Sequence, residues 1–224
     1  RIPEDREDIY VVSVMRDAWV DIPGYGYNKI NAAMSYGGVP LAVETVESLL
    51  DTRIDHVVVI DFEGFKGLTD ALGGVTLNNP NDFTTVAATG SKTFEAGTVR
   101  LNGEEALAFV RERKAFIDGD YQRVRNQQLY LTAVMKTFLS RGTLTSPAKL
   151  QEAVEAISAY MVVDEGLDSM YILGLLPSLR NVRANDFVFF TLPTTGPAMT
   201  EDGQSIIELD ETRMEALRKA FHDD

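Results

Sequence analysis

The sequence predicts an α/β layered domain with a largely parallel or mixed sheet. Short β-branched runs without polar alternation, Ile9 to Val14 and His56 to Asp61, carry the mark of strands covered on both faces. Between and after them lie apolar residues at helical spacing, and alternating strands and helices imply this class. No Pro/Gly/Ser-rich linker or internal repeat divides the chain, so residues 1–224 read as a single domain.

The elements follow in order. Pro40 stands where a first helical turn begins, with Ala42, Val43, Val46, Leu49 and Leu50 behind it. A second helix spans Phe62 to Leu72, with Phe62, Phe65, Leu68 and Leu72 on one stripe, closed by Gly73-Gly74. Val75-Thr76-Leu77 opens a strand, and the polar stretch from Asn78 to Thr98 reads as a long loop. Asn102 with Glu105 three residues on has the form of a capping box for a helix through Val110. After a turn at Asp118-Gly119, a long helix runs from Asp120 to about Ser140, its Val124, Leu131, Met135 and Phe138 at helical spacing. Further helices are expected from Ser146-Pro147 through Ile157, from Asp168 to Leu179 and from Asp210 to Phe221. A strand at Phe187 to Thr191 is followed by a loop to Gln204.

Composition excludes several chemistries. Lys and Arg number 21 against 34 Asp and Glu, a net charge of −13 that disfavours a nonspecific nucleic-acid coat. With no cysteine there is no disulfide, thiolate metal site or cysteine nucleophile, and His56 and His222 are too few for a multi-histidine metal site. A metal would have to be held by carboxylate oxygens. No apolar run approaches the roughly 18 residues of a membrane span. The opening at Arg1, without Met or a signal-like segment, suggests a piece excised from a longer precursor.

Against this acidic background, the segment from Arg111 to Arg125 holds Arg111, Arg113, Lys114, Arg123 and Arg125 but only Glu112, Asp118 and Asp120, a local +2. Asp120, Arg123 and Gln127 fall on one helix face near its N-terminus, where backbone N–H groups and the helix dipole favour an anion. Guanidinium forks suit phosphate oxygens, so the cluster reads as a phosphate pocket. Each arginine alone also fits a plainer role, offsetting the helix C-terminus or pairing with Asp120 at the surface. A second cluster follows the first strand, where α/β sheets bind ligands: Arg16 and Lys29 could clamp phosphate there, or form surface pairs Arg16–Asp17 and Asp21–Lys29. There is no Gly-x-Ser-x-Gly, Walker or dinucleotide-binding pattern.

Taken together, Ser13 to Asp17, Ile22-Pro23-Gly24, Lys29 to Ala33, Gly37-Gly38, Asp61 to Phe65, Asp70 to Val75, Leu101 to Arg113 and Gly119 to Gln128 closely resemble the LytR-CpsA-Psr family. The resemblance is dense from about Ile9 to Thr132 and looser to Phe221. It implies a three-layer α/β/α sandwich with a central mixed sheet. The activity it implies is a membrane-anchored, extracytoplasmic phosphotransferase of Gram-positive envelopes, which moves a glycopolymer from a polyprenyl-pyrophosphate carrier to peptidoglycan through a phosphodiester. By the same resemblance Arg16, Arg111, Arg113, Asp120 and Arg123 are catalytic, while Asp17, Lys29, Asn31 and Gln127 bind substrate. Asp120 could orient Arg123, bind a metal or relay a proton. Mg²⁺ is implied as cofactor, but the family's metal-binding aspartates, N-terminal strands and anchor lie upstream of Arg1, so no metal ligand is assignable in this chain. Alternatives are a noncatalytic polyprenyl-phosphate-binding module, a pyrophosphatase, or transfer to a protein acceptor. A DNA-linked regulatory role ranks last at this net charge. Arabinogalactan, teichoic acid and capsule all fit these motifs as the polymer.

Overall fold

In the computed structural model, β1 (Ile9–Ser13) and β10 (Phe187–Thr191) pair in parallel, Ile9 opposite Phe187 and Ser13 opposite Thr191. The structure describes residues 1–4, 7–86, 91–140, 158–168 and 181–222, with isolated positions between 141 and 180. The helix expected from Ser146-Pro147 through Ile157 and most of that from Asp168 to Leu179 lie outside the described residues.

After β1, a hairpin of β2 (Trp19–Ile22) and β3 (Gly26–Lys29) leads into α1 (Asn31–Leu50). Helix α1 starts nine residues before Pro40 but breaks at Gly38, whose φ of 65° and ψ of −155° are left-handed and non-helical. Pro40 therefore does begin a helical stretch, the second half of a kinked element. Next come β4 (Val58–Val59) and α2 (Phe62–Ala71), the latter capped by Asp61, whose carboxylate accepts the Gly64 N–H at 2.7 Å. β4 is not covered on both faces as its composition suggests. It pairs only with β9 (Val162–Val163) among the described residues, and Val58 is 49% exposed.

The polar stretch after Leu77 is not a loop. β5 (Val75–Asn79) pairs antiparallel with β8 (Gly97–Leu101), and β6 (Phe83–Thr84) with β7 (Thr93–Phe94). Its polar composition hid two apolar anchors, Phe83 and Phe94, whose rings pack 5.1 Å apart beneath the site. The buried Asn79 amide donates to the Glu95 carbonyl at 2.9 Å, which satisfies a polar group the sequence made look solvent-exposed.

α3 (Gly103–Arg111) starts at the expected capping box: Asn102 accepts from the Glu105 N–H and Glu105 from the Asn102 N–H, both at 3.0 Å. α4 (Gly119–Ser140) follows. Its buried face carries Val124, as expected, together with Asn126, Tyr130 and Ala133, but Leu131 of the expected stripe is 40% exposed. The region expected to be a loop up to Gln204 contains β11 (Thr194–Met199), paired with β12 (Ser205–Leu209) before α5 (Glu211–His222). Thr-Thr-Gly-Pro-Ala-Met has little strand propensity, and its pairing partner supplies the order.

The fold is thus mixed α/β, with parallel and antiparallel pairs. Among the described residues the strands pair two by two and not as one continuous ladder. One core gathers β5, β8, α3 and α4 around Phe109, and another packs the β2–β3 hairpin against α1 and α5 around Ile22 and Met214. A small third cluster of Met15, Val124 and Ile207, flanked by Tyr121, joins the end of β1 to the start of α4. That junction positions the site.

Candidate functional site

Met15 is 1% exposed, held against Val124 and Ile207, and Asp17 accepts the Ile207 N–H through its carbonyl at 2.9 Å. Arg16, fixed between them, keeps a side chain 60% exposed. Asp17 lies 4.0 Å from Arg16 Nε, too far for a hydrogen bond. Asn31, the first residue of α1, donates its backbone N–H to the Arg16 carbonyl at 3.3 Å. In the amide orientation that the surrounding donors and acceptors require, the Asn31 oxygen accepts from Arg16 Nε at 3.0 Å and from an Nη at 3.2 Å. The arginine is aimed by a neutral partner that does not cancel its charge. Lys29 ends β3 opposite Trp19 and forms no ion pair among the described residues; the Asp21–Lys29 pair is not made there.

The second group is built at the junction of α3 and α4. Asp120 Oδ1 lies 3.4 Å from Arg123 Nη2 and 3.7 Å from Arg113 Nη1. Arg123 is one helical turn beyond Asp120, as the spacing predicts, while Arg113 reaches the same oxygen from the other side of the turn. Asp120 and Arg123 are only 16% and 14% exposed, but Arg113 is 49% exposed. Both contacts are longer than good hydrogen bonds, so one carboxylate orders two forks whose donors are not consumed.

Arg111 takes a different partner. Its Cζ lies 4.1 Å from the centroid of the Phe62 ring, at the N-terminus of α2. Phe62, read from the sequence as a core residue, is 55% exposed and serves as a platform for this cation. Between the two exposed arginines Glu112 is buried, accepting N–H groups from Val86 at 2.8 Å, Arg113 at 2.9 Å and Ala115 at 3.0 Å. Burial pushes its pKa up, but these backbone donors together with that of Lys114 outweigh it and hold the carboxyl below its ordinary range. Gln127 points its amide to the Val110 carbonyl at 3.4 Å and so braces the end of α3. Arg125 is turned away into a surface network with Asp118 and Gln122.

The structure therefore brings together Arg113, Asp120 and Arg123 in one group and Arg16, Asp17 and Asn31 in another. No hydrogen bond or ion pair joins the groups among the described residues; the Met15–Val124 packing does. Lys29, Arg111 and Gln127 have separate settings around them. Glu112 and Phe62 were missed as site residues. The signal for Glu112 was a lone acid flanked by arginines, but its meaning depends on Val86, 26 residues away.

No three carboxylate or imidazole groups converge among the described residues. Asp17 and Asp120, the carboxylates of these groups, are each turned toward guanidinium. This donor set does not fit a magnesium cage. It can neutralise and orient a dianionic or diphosphate group.

The LytR_cpsA_psr family model matches residues 1–223. The chain is 33% identical to the cell wall biosynthesis protein LcpA of Corynebacterium glutamicum, covering 97% of this chain and 46% of LcpA. It is 31% identical to the polyisoprenyl-teichoic acid–peptidoglycan teichoic acid transferase TagT of Bacillus subtilis, over 96% of this chain and 64% of TagT. The chain spans about half to two thirds of the length of these relatives. The crystal structure of B. subtilis TagV superposes with a TM-score of 0.83 at 29% identity, covering 97% of this chain and 83% of that one. TagT bound to LI-WTA gives a TM-score of 0.72 at 28% identity, over 96% and 78% of the two chains.

Proposed function

The chain belongs to the LytR_cpsA_psr family, and on that premise we propose that it is a phosphotransferase that moves a glycopolymer from a polyprenyl-pyrophosphate carrier to peptidoglycan. The observation that carries this reading is the Arg113–Asp120–Arg123 constellation, two guanidinium groups held by one carboxylate with their donors still free to bind phosphate oxygens. Relatives named for teichoic acid transfer and for cell wall biosynthesis support the same activity.

In the reaction a hydroxyl of the acceptor attacks the phosphorus that bears the glycan. The new P–O bond forms as the bridging P–O–P bond breaks, the glycan phosphate becomes a phosphodiester, and polyprenyl phosphate departs with the hydroxyl proton. Such transfer asks the protein chiefly for positioning and charge stabilisation. Arg113 and Arg123 neutralise the transferred phosphoryl group, with Asp120 setting the angle between them. Arg16, aimed by Asn31, supports the leaving phosphate. Arg111 on Phe62, Asp17, Lys29 and Gln127 complete the electrostatic surround. The described carboxylates do not form a metal cage, and charge neutralisation in this mechanism falls to the guanidinium groups. The reading places the enzyme outside the membrane of a Gram-positive envelope, attached to it through residues other than those described, among which no helix is long and apolar enough to cross a membrane.

The test is incubation with a prenyl-diphosphate-linked glycan and peptidoglycan, following release of prenyl phosphate. Arg113→Ala and Arg123→Ala are expected to abolish release with the fold intact. Full activity in both variants overturns the reading, and binding without release in the unaltered protein reassigns it as a capture module.

A further inference from the structure

Away from the arginine groups, the outward face of the β2–β3 hairpin meets the C-terminal part of α1 and the start of α5 in a cavity of about 410 Å³. That volume lies in the range of small-molecule sites. Its walls include Trp19, Asp21, Tyr27, Ser48, Glu211 and Arg218. The strand register explains the first three: Trp19 faces Lys29 and Asp21 faces Tyr27, so all four side chains leave the same face of the hairpin. The opposite face carries the buried Val20 and Ile22, which anchor it to the core.

We propose that this cleft is a saccharide subsite, in which a sugar ring packs on Trp19 and Tyr27 while its hydroxyls meet Asp21, Glu211 and Arg218. The two rings lie 6.4 Å apart between centroids and are inclined by 30°, presenting a shallow angled platform. Tyr27 is 66% exposed, a large aromatic area left to water with its partner already in place. An apolar platform rimmed by carboxylates and a guanidinium matches a ring that has C–H faces and a hydroxyl edge. A lipid chain would bury the Asp21 carboxylate without an ion-pair partner, and a phosphate would meet Asp21 and Glu211. Arg218 is held in place by donating from Nε to the Leu49 carbonyl at 2.9 Å. Its terminal nitrogens sit 3.4 Å from Glu211, close enough to orient the pair and too far to use up its hydrogen bonds. Asp21 makes no ion pair among the described residues.

The cleft and Arg16 are linked along the chain. Lys29, on the same face of the hairpin by register, is two residues before Asn31, and Asn31 holds Arg16. This inference rests on the transferase reading for its orientation: a sugar in the cleft is joined to, or about to be joined to, the phosphate at Arg16. The sugar therefore comes either from the carried polymer or from the peptidoglycan acceptor.

Trp19 is the single tryptophan of the chain, so intrinsic fluorescence reports on the cleft directly. The protein is titrated with geranyl diphosphate, with geranyl diphosphate carrying an N-acetylhexosamine disaccharide, and with soluble glycan fragments of peptidoglycan. The expected result is a saturable change in Trp19 emission with a saccharide-bearing probe and none with geranyl diphosphate, whose binding is followed by calorimetry. A response to the second probe alone assigns the cleft to the donor, and one to the third alone assigns it to the acceptor. Tyr27→Ala, at a solvent-facing position, is expected to weaken saccharide binding at least tenfold and leave geranyl diphosphate binding unchanged. No emission change with either saccharide, or equal loss of all ligands in Tyr27→Ala, overturns the proposal. Failure of the unaltered protein to bind geranyl diphosphate in calorimetry is instead a failure of the transferase reading, and the peptidoglycan-fragment titration still decides the cleft.

Discussion

The Glu112 carboxylate accepts the backbone N–H of Val86 at 2.8 Å, across 26 residues of chain, and so ties the end of the β6 segment to the turn that spreads Arg111 and Arg113. Phe83, just before Val86, packs 4.9 Å from Phe116 and 5.3 Å from Phe109, so the same segment supports that turn through apolar contact. Glu112→Ala removes the acceptor for the backbone N–H groups of Val86, Arg113 and Ala115. The expected loss is about 2 kcal/mol, a fall of roughly 4–8 °C in the thermal midpoint. Calorimetry checks it, and Glu112→Gln, which keeps one of the two accepting oxygens, is expected to recover part of the loss.

The pH dependence of that interaction has a definite sign. The Glu112 pKa is held down in the folded protein, so its contribution is present at neutral pH, above the unfolded value, and is lost as pH falls through the folded value. Denaturation at pH 7 and pH 3 is therefore expected to show a larger acid loss in the unaltered protein than in Glu112→Gln. Equal losses would remove Glu112 from the acid response.

Asp120 arranges two guanidinium groups while cancelling part of their charge. Asp120→Ala is expected to lower glycan transfer by about 10²-fold, the scale of losing preorganised electrostatic support. Affinity for a prenyl diphosphate holds or tightens, because two cations are left without their anion. Parallel turnover and calorimetric titrations separate the effects. A matched loss of both would point to a purely structural role.

Phe62 offers its ring to Arg111 at 4.1 Å on an exposed surface. Such a contact is worth about 0.5–1 kcal/mol, so Phe62→Ala is expected to weaken prenyl-diphosphate binding about two- to fivefold. Phe62→Tyr keeps the ring face and should bind normally. A Phe62→Ala variant with unaltered affinity would show that Arg111 needs no platform.

Asp164 links the β4 and β9 segments. It accepts the Val57 N–H at 2.7 Å, faces His56 Nδ1 at 3.1 Å and accepts the Gly166 N–H at 2.9 Å. The Val57 donor first, then His56 and Gly166, bring its pKa down to about 2. Its stabilisation is expected to be complete above the ordinary carboxylate value and lost as pH falls toward 2. Asp164→Asn should flatten that part of the acid-unfolding profile, as read by circular dichroism.

Local signals were legible wherever the stabilising partner lies within a few residues. The Asn102–Glu105 box, the Asp118-Gly119 turn before α4 and the Asp120–Arg123 pair all appear as the spacing predicts, since each depends on one helical turn. The Asn78 to Thr98 stretch was misread because its order comes from pairing with Gly97–Leu101 and from Phe83 meeting Phe94, neither of which a polar composition announces. Phe62 was misread for a related reason: its position in an apolar stripe says nothing of the cation that arrives from another helix.

What the amino-acid order settled by itself was the α/β class, the starts of α2, α3, α4 and α5, and the presence of a cationic segment in an acidic chain. These follow from side-chain periodicity and from charges close along the backbone. Which arginines share an anion was left to the tertiary structure. Arg113 meets Asp120 only because the turn after α3 folds back; Arg16 is aimed only because Asn31 returns to it after a hairpin; and Glu112 works only through Val86. Such contacts join residues separated by turns and whole strands, so their geometry is set by the packing of Met15 on Val124 and of Phe83 on Phe109, and not by spacing along the chain.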